Sequence, residues 1–423
     1  MASTAFVVTD NATKNPHATI DSGKEKPDHW VDKKGSSFTN PWPSWRWIKA
    51  GEIIRTAWKM SKLDLTPDPK AVAETLPLRT PTWGAEVDAK SQKNPQDSIR
   101  ATWLGHACFL VEFPSHGTTS SEGNRGVRIL FDPVFSDRCS PMSFMGPKRY
   151  TQPPCKLEEL PEIDAIVISH NHYDHLDTHS IKTLVQRSPE RIPHVFVPLG
   201  NGPLIKSLGI PDASAHIMDW WDSKHFEISV PSTSQPGTST ILGVDVTCTP
   251  CQHFSGRMWR DNFKTLWASW VVEETAPQTE TVATKVKSAV LQALEGKALK
   301  RVFFGGDTGY RTVPDDKDEN EVPFCPAFKD IGNVFESFDL AMLPIGAYSP
   351  RPYMSPVHCS PSDSVRIYQD IKAKKGLGMH WGAWALTAEP FAEPPKLLAE
   401  EVKKAGIPEE DFTICDIGET VFF

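Results

Sequence analysis

The chain has 423 residues, 39% hydrophobic and 10% aromatic, and a formal net charge of −8. That length holds one large domain or two ordinary ones, and that composition fills a core, which excludes a disordered chain. The acidic balance excludes nucleic acid as a general partner.

The first ten residues carry no basic region and no long apolar core, so they are not read as a secretory signal. No run approaches the roughly 18 apolar residues that a membrane-spanning helix needs. The eight cysteines are scattered. Cys248-Thr-Pro-Cys251 lacks a second pair to complete a tetrahedral metal site, so it reads as two thiols at a strand end. A reduced setting follows, intracellular and cytoplasmic, with any membrane contact peripheral.

In chain order, residues 1–37 are polar and aperiodic and read as a flexible tail. Residues 38–97 read as a wrapping segment, opened by the aromatic and proline-rich stretch Phe38–Trp45. Within it, Trp45–Leu63 has the spacing of an amphipathic helix. Trp47, Ile54 and Trp58 share the apolar side, and Lys49, Arg55, Lys59 and Lys62 the basic one. Tryptophan opposite lysine is the composition of an interfacial helix, so Trp47, Ile54 and Trp58 are the candidate membrane contacts. A helix docked on the protein's own core or on a second subunit has the same pattern. The N-terminal apolar segments would also suit a homodimer.

Residues 98–423 read as the catalytic domain. Strands are expected within Ser98–Phe113 and at Val127–Phe131, Ile163–Ile168, Val195–Val197, Ala215–Met218, Ile241–Thr249, Leu266–Glu273, Arg301–Asp307, Leu340–Ile345, Gly378–Trp381 and Phe412–Ile417. Helices are expected at Asp177–Arg187, Leu204–Leu208, Lys285–Lys300, Ser362–Lys372 and Lys396–Lys404. Early hairpins followed by alternating strands and helices predict an α/β fold of two sheets with helices outside.

The densest signal follows the Ile163–Ile168 strand: Ser169-His170-Asn171-His172-Tyr173-Asp174-His175. Three of the chain's 14 histidines fall in the hexapeptide His170–His175. Alternation in an extended turn puts His170 and His172 on one side, while Asp174 and His175 point elsewhere as the chain turns into a helix. One short loop can therefore face two metal ions. Imidazole and carboxylate suit zinc, and also iron or manganese.

Further candidates stand where other strands stop. These are His253, Asp307 within Gly305-Gly-Asp-Thr-Gly309, His380 and, in a loop before a helix, His358. An acid at a buried strand end is costly unless paired or metal-bound. One metal site then takes His170, His172 and His253, and the other Asp174, His175 and His380. Asp307 can bridge both with its two oxygens. Two metals about 3.5–4 Å apart would share a water, lower its pKa and clamp a phosphoryl or carbonyl oxygen. Asp132, after the Val127–Phe131 strand, is expected to orient a ligand histidine from behind. His106 could do the same, but reads better as structural. His358 reads as a supporting or substrate-facing residue.

The signature His-x-His-x-Asp-His resembles that of the metallo-β-lactamase fold. Longer matches resemble the N-acyl-phosphatidylethanolamine-hydrolysing phospholipase D family. They include Asn40-Pro-Trp-Pro-Ser-Trp45, Thr102-Trp-Leu-Gly-His-Ala107, Met145-Gly-Pro-Lys-Arg149, Gly306-Asp-Thr-Gly-Tyr310, Pro344-Ile-Gly-Ala-Tyr348 and His380-Trp-Gly382. In family order they span about residues 38–420.

The resemblance implies an αβ/βα sandwich of two mixed sheets flanked by helices, with two zinc ions, other divalent metals being open. It implies hydrolysis of N-acyl-phosphatidylethanolamine to N-acylethanolamine and phosphatidic acid by a metal-bridging hydroxide, on a phospholipid held at a membrane surface. His170, His172, Asp174, His175, His253, Asp307 and His380 match the family's metal ligands. Asp174 and Asp307 then serve catalysis through the metals, His358 matches a histidine near the substrate, and Asp132 a supporting acid. The chain departs from the family at Arg311–Phe324, which separates two stretches contiguous there, and in longer loops at 115–126 and 275–300. Two other readings stand beside this one: a soluble lactonase or small-molecule phosphodiesterase on the same scaffold, and a non-catalytic lipid-binding protein.

Overall fold

The computed structural model describes residues 5–47, 66–85, 96–120, 123–142, 144–232, 237–258, 260–281, 286–289 and 298–423. Two mixed sheets face one another. The seven-stranded sheet runs, edge to edge, through Thr420–Phe422, Arg100–Trp103, Phe109–Glu112, Arg128–Phe131, Ala165–Val167, His194–Pro198 and Ala215–Met218. The main path of the ten-stranded sheet is Ala5–Asp10, Ser223–Pro231, Thr238–Thr249, Ser269–Glu274, Arg301–Phe304, Leu340–Pro344, Gly376–Met379 and Phe412–Thr413. Gln278–Thr281 and Val286–Ala289 extend it off that path.

Ala165-Ile-Val167 is short, branched and buried at every position, as a parallel strand covered on both faces must be. Its parallel partners on either side put the C-terminal ends of three strands at one edge: Phe131 beside Val167, and Val167 beside Phe196. The other sheet does the same. The strands ending at Phe304, Pro344 and Met379 are parallel. Thr238–Thr249 is two antiparallel steps from Arg301–Phe304, so it points the same way.

The two edges are tied together. The Trp270 indole N–H donates to the Ile168 carbonyl at 3.0 Å, and the Phe131 and Phe304 rings lie 4.8 Å apart across the interior. Helices Thr178–Arg187 and Pro361–Asp370 each turn one apolar stripe inward. Their N-termini are capped by Asp177, which accepts from the His179 amide, and by a Ser360–Asp363 capping box.

Three expectations are corrected. Residues 5–37 are not a loose tail. Ala5–Asp10 pairs antiparallel with Ser223–Pro231, Phe6 stacks on Phe226, and the indole N–H of Trp30 donates to Asp219. The polar average over that stretch hid the run Phe-Val-Val-Thr, whose β-branched side chains suit an edge strand. Second, Val286–Ala289 is a strand hydrogen-bonded to Gln278–Thr281, where a helix over Lys285–Lys300 was expected; 290–297 lie outside the described residues. Third, Trp45–Trp47 are not helical. The remainder of the Trp45–Leu63 helix, including Ile54 and Trp58, lies outside the described residues. Among the described residues, no helix is long and apolar enough to cross a membrane.

Candidate metal centre

Four strand ends deliver the candidate ligands to one place. The loop after Ala165–Val167 brings His170, His172, Asp174 and His175; Thr238–Thr249 brings His253, Arg301–Phe304 brings Asp307, and Gly376–Met379 brings His380. His170, His175, His253, Asp307 and His380 are all at most 2% exposed.

Their hydrogens point away from one another. The Asp132 carboxylate accepts the Ser169 hydroxyl at 2.6 Å, which leaves Ser169 Oγ to accept from His170 Nδ1 at 2.9 Å. His253 Nδ1 donates to the Val357 carbonyl at 2.8 Å. The remaining nitrogens converge: His172 Nδ1 lies 2.8 Å from His170 Nε2 and 3.3 Å from His253 Nε2. His170 Nε2 and His253 Nε2 present lone pairs to this point, and His172 Nδ1 adds a third in the tautomer that carries its hydrogen on Nε2. Nitrogens held tetrahedrally at about 2.0–2.1 Å from a zinc ion stand roughly 3.3 Å apart, so this set fits.

The second group forms around Asp307. His175 Nε2 lies 3.1 Å from Asp307 Oδ2 and 3.6 Å from Asp174 Oδ2. His380 Nε2 lies 2.9 Å from Asp307 Oδ1 and 3.6 Å from Asp174 Oδ2. Yet His175 Nε2, His380 Nε2 and Asp307 Oδ1 are buried with no hydrogen-bond partner. Atoms this close that do not bond are aimed at a common point between them. Asp307 Oδ2 is also 3.7 Å from His253 Nε2 and 3.9 Å from His170 Nε2, so this carboxylate faces both groups. The donor set is imidazole and carboxylate, which suits a borderline divalent ion.

Three supporting residues are clear. Asp132 accepts His175 Nδ1–H at 2.6 Å and the Ser169 amide at 2.7 Å. His106 touches the cluster directly: its Nε2 lies 3.0 Å from Asp174 Oδ2, so it is more than packing. His358 brings Nδ1 to 3.8 Å from Asp307 Oδ2. Asp132, His106 and His380 all have positive φ (39°, 54° and 63°), a backbone geometry that costs energy in residues other than glycine.

Burial, then the neighbouring imidazoles, hold His170 and His253 well below the ordinary histidine pKa. Burial likewise brings His172 and His358 down to about 4. For His175, burial is outweighed by Asp307, Asp174 and Asp132, which hold it well above the usual value. His380 rises to about 9 because Asp307 and Asp174 overcome its burial. Burial favours a protonated Asp307, but the imidazoles of His175, His380 and His358 hold it ionised, well below the usual carboxylate range. Without metal, His170, His172, His253 and His358 are neutral while His175 and His380 hold protons beside ionised Asp307, and a metal bound there would displace those two protons.

Sequence reading missed four residues here. Ser169 stands inside the motif, and its place beside His170 was the available signal. Asn40 donates from Nδ2 to the His253 carbonyl at 2.7 Å, and Ser44 Oγ meets Gln252 Oε1 at 2.5 Å. Gln252 Nε2 in turn donates to Pro356, at the start of the segment carrying His358. Asn40 and Ser44 stand in the Asn40–Trp45 motif, but their partners lie more than 200 residues away and nothing local marks those contacts. Cys248 and Cys251 are buried thiols whose pKa burial pushes far up, and they stand in none of the candidate metal groups among the described residues.

A family model described as the beta-lactamase superfamily domain matches residues 127–381, more than half the chain. The chain is 33% identical to N-acyl-phosphatidylethanolamine-hydrolyzing phospholipase D 1 of Caenorhabditis elegans, over 84% of this chain and 83% of that protein. The chain belongs to the N-acyl-phosphatidylethanolamine-hydrolysing phospholipase D family. The mitochondrial family member of Saccharomyces cerevisiae is 28% identical over 88% of this chain and 69% of its own. A solved metallo hydrolase of the archaeon Ignicoccus hospitalis covers 77% of this chain and 98% of its own, at 17% identity and a TM-score of 0.44. Membership of this family, with the metallo-β-lactamase fold described above, makes the protein a metal-dependent hydrolase.

Proposed function

We propose that this protein is a dinuclear-zinc phosphodiesterase of phospholipase D type, hydrolysing N-acyl-phosphatidylethanolamine to N-acylethanolamine and phosphatidic acid. The observation that carries the reading is Asp307: its Oδ2 lies 3.1 Å from His175 Nε2 and 3.7 Å from His253 Nε2, and its Oδ1 lies 2.9 Å from His380 Nε2, so the carboxylate faces both imidazole groups. Bound there, two divalent ions would supply a water acidified toward neutral pH and a Lewis-acid clamp on the phosphoryl oxygens.

His170, His172 and His253 would hold one ion, Asp174, His175 and His380 the other, and Asp307 both. Asp132 keeps the Nε2 lone pairs of His175 and His170 turned inward, the first directly and the second through Ser169. His358, neutral at pH 7, is 12% exposed at its side chain and so reachable from outside; it orients the phosphoryl group by a hydrogen bond.

Large apolar side chains near the centre support a lipid reading. Arg149 stacks on Trp384, whose ring meets His106 edge-on at 4.9 Å, and the loop leading into Arg149 exposes Met142, Phe144 and Met145. On the other side Arg257 stacks over Tyr173 of the motif, beside exposed Met258. Trp47 is half exposed against Phe254, the neighbour of His253. Apolar side chains beside cationic ones suit docking on a membrane surface.

The test is turnover of N-acyl-phosphatidylethanolamine in mixed micelles by zinc-loaded protein, beside Asp307→Asn. The expected outcome is release of both products by the parent, and a loss on the order of 10³-fold or more in the variant. A parent that binds two metals and releases neither product would sink the substrate and turn attention to lactones and soluble phosphodiesters.

A further inference from the structure

Around His380 three buried nitrogens lack partners: His380 Nδ1, His106 Nδ1 and Trp381 Nε1. Their residues are at most 4% exposed. The three residues line one cavity of about 30 Å³, together with Tyr150, Thr387 and Glu389. The obvious protein acceptor is already committed. Glu389 accepts from the Ala347 amide at 2.6 Å, the Thr387 hydroxyl at 2.7 Å and the Ser349 amide at 3.0 Å.

The donor and acceptor roles follow from the other end of each ring. A metal ion held by His380 Nε2 beside Asp307 and Asp174 would leave the ring hydrogen on Nδ1. His106 donates from Nε2 to Asp174 Oδ2, so its Nδ1 is an acceptor. Trp381 Nε1 can only donate. The missing partner must therefore accept two hydrogen bonds, donate one and carry no charge. A water occupies about 10–15 Å³ of such a cavity and wants two to four polar partners. The cavity is large enough and offers three.

We propose that one water molecule is built into this cavity, accepting from His380 Nδ1 and Trp381 Nε1 and donating to His106 Nδ1. It closes a circuit from Asp174 through His106 and the water to His380, whose ring centroid lies 4.0 Å from that of His106. His106 and Trp381 are then positioning residues for the second metal site. They fix the tautomer of His380 as Asp132, Ser169 and Val357 fix those of His175, His170 and His253.

This rests on the two-metal reading but not on the lipid substrate. The first test is proton NMR of cobalt(II)-loaded protein, in which ring N–H protons of ligating histidines are shifted clear of the rest. The His380 N–H, identified by its shift in Trp381→Phe, should exchange with solvent much faster than those of His170, His175 and His253, which protein acceptors hold. Equally slow exchange for all four overturns the proposal. The second test is metal titration of Trp381→Phe and of His106→Gln, whose amide nitrogen can still reach Asp174. Each should weaken one site by about 10–100-fold and leave the other unchanged, giving one tight metal in place of two. Two metals held with parental affinity in both variants overturn it. If Trp381→Phe does not fold, the His380 N–H is identified by its shift in His106→Gln, and the exchange measurement on the parent decides. A parent that binds two metals without cleaving the lipid leaves this inference standing, whereas one that binds no metal removes both.

Discussion

Asp132 offers no atom to a metal, yet its carboxylate holds the Ser169 amide, the Ser169 hydroxyl and His175 Nδ1. Asp132→Asn replaces one acceptor oxygen with a donor facing a donor. Metal affinity should drop by about 10–100-fold while the fold persists, read by metal content after dialysis against a weak chelator. Ser169→Ala should cost less, because only His170 loses its support. Full occupancy in both would remove this role from Asp132.

Histidine titration makes a second residue-scale prediction, for metal-free protein. His172 and His358 titrate at about 4 when folded and near 6.5 when unfolded, because burial disfavours the cation. Between those values the unfolded chain binds more protons, so stability falls as pH drops from about 6.5 to 4. His380 works in the opposite window: raised to about 9, it stabilises fully below about 6.5, and that contribution fades as pH rises toward 9. Urea midpoints in chelator from pH 4 to 9 should therefore pass through a maximum between the windows; a flat profile would contradict the burial argument. These residues were legible in the sequence because each stands at a strand end or in the dense motif. The contacts of Asn40 with His253 and of Ser44 with Gln252 were not, since pairings across more than 200 residues leave no local trace.

At the scale of elements, the helix Pro361–Asp370 steadies His358. Asp363 caps that helix and is fully buried with Arg311 at 2.7 Å and Arg351 at 2.8 Å. Burial would raise its pKa, but Arg351 and Arg311 more than reverse this and keep it ionised. Arg311 opens the stretch Arg311–Phe324 that interrupts the family pattern, and Glu319 within that stretch returns to Arg351 at 3.5 Å. The interruption is thus bolted to the segment bearing His358. Asp363→Asn leaves Arg311 and Arg351 to share the carboxylate of Glu319 and should cost about 3 kcal/mol in urea unfolding. An undiminished midpoint would mean that the arginines find other partners.

The N-terminal strand makes a matching prediction. Removing residues 1–12 strips Phe6 from Phe226 and His194 and should lower stability by about 2–4 kcal/mol, with metal content unchanged. The misreadings at this scale share a cause. A run of four to eight residues fits both helical and strand periods, so Val286–Ala289 is decided by its hairpin partner and Ala5–Asp10 by the open edge of Ser223–Pro231.

For the whole molecule, the membrane reading predicts that the protein sediments with phospholipid vesicles. It also predicts that Phe144→Ser with Met258→Ser lowers vesicle binding several-fold while turnover of a soluble phosphodiester is unchanged. Indifference to vesicles in parent and variant alike would return the protein to the soluble hydrolases. The sequence by itself determined the chemistry-bearing residues, the strands that end on them and the family, because ligand type, spacing and alternation are local properties of the chain. Only the tertiary structure decided that Asp307 faces both ligand groups and that His106 bears on Asp174. The N-terminal strand and the strap residues Asn40 and Ser44 were likewise settled only there. Each depends on which strands lie side by side and which strand ends share an edge, and that is set by burying two sheets against one another, a property of no single stretch of chain.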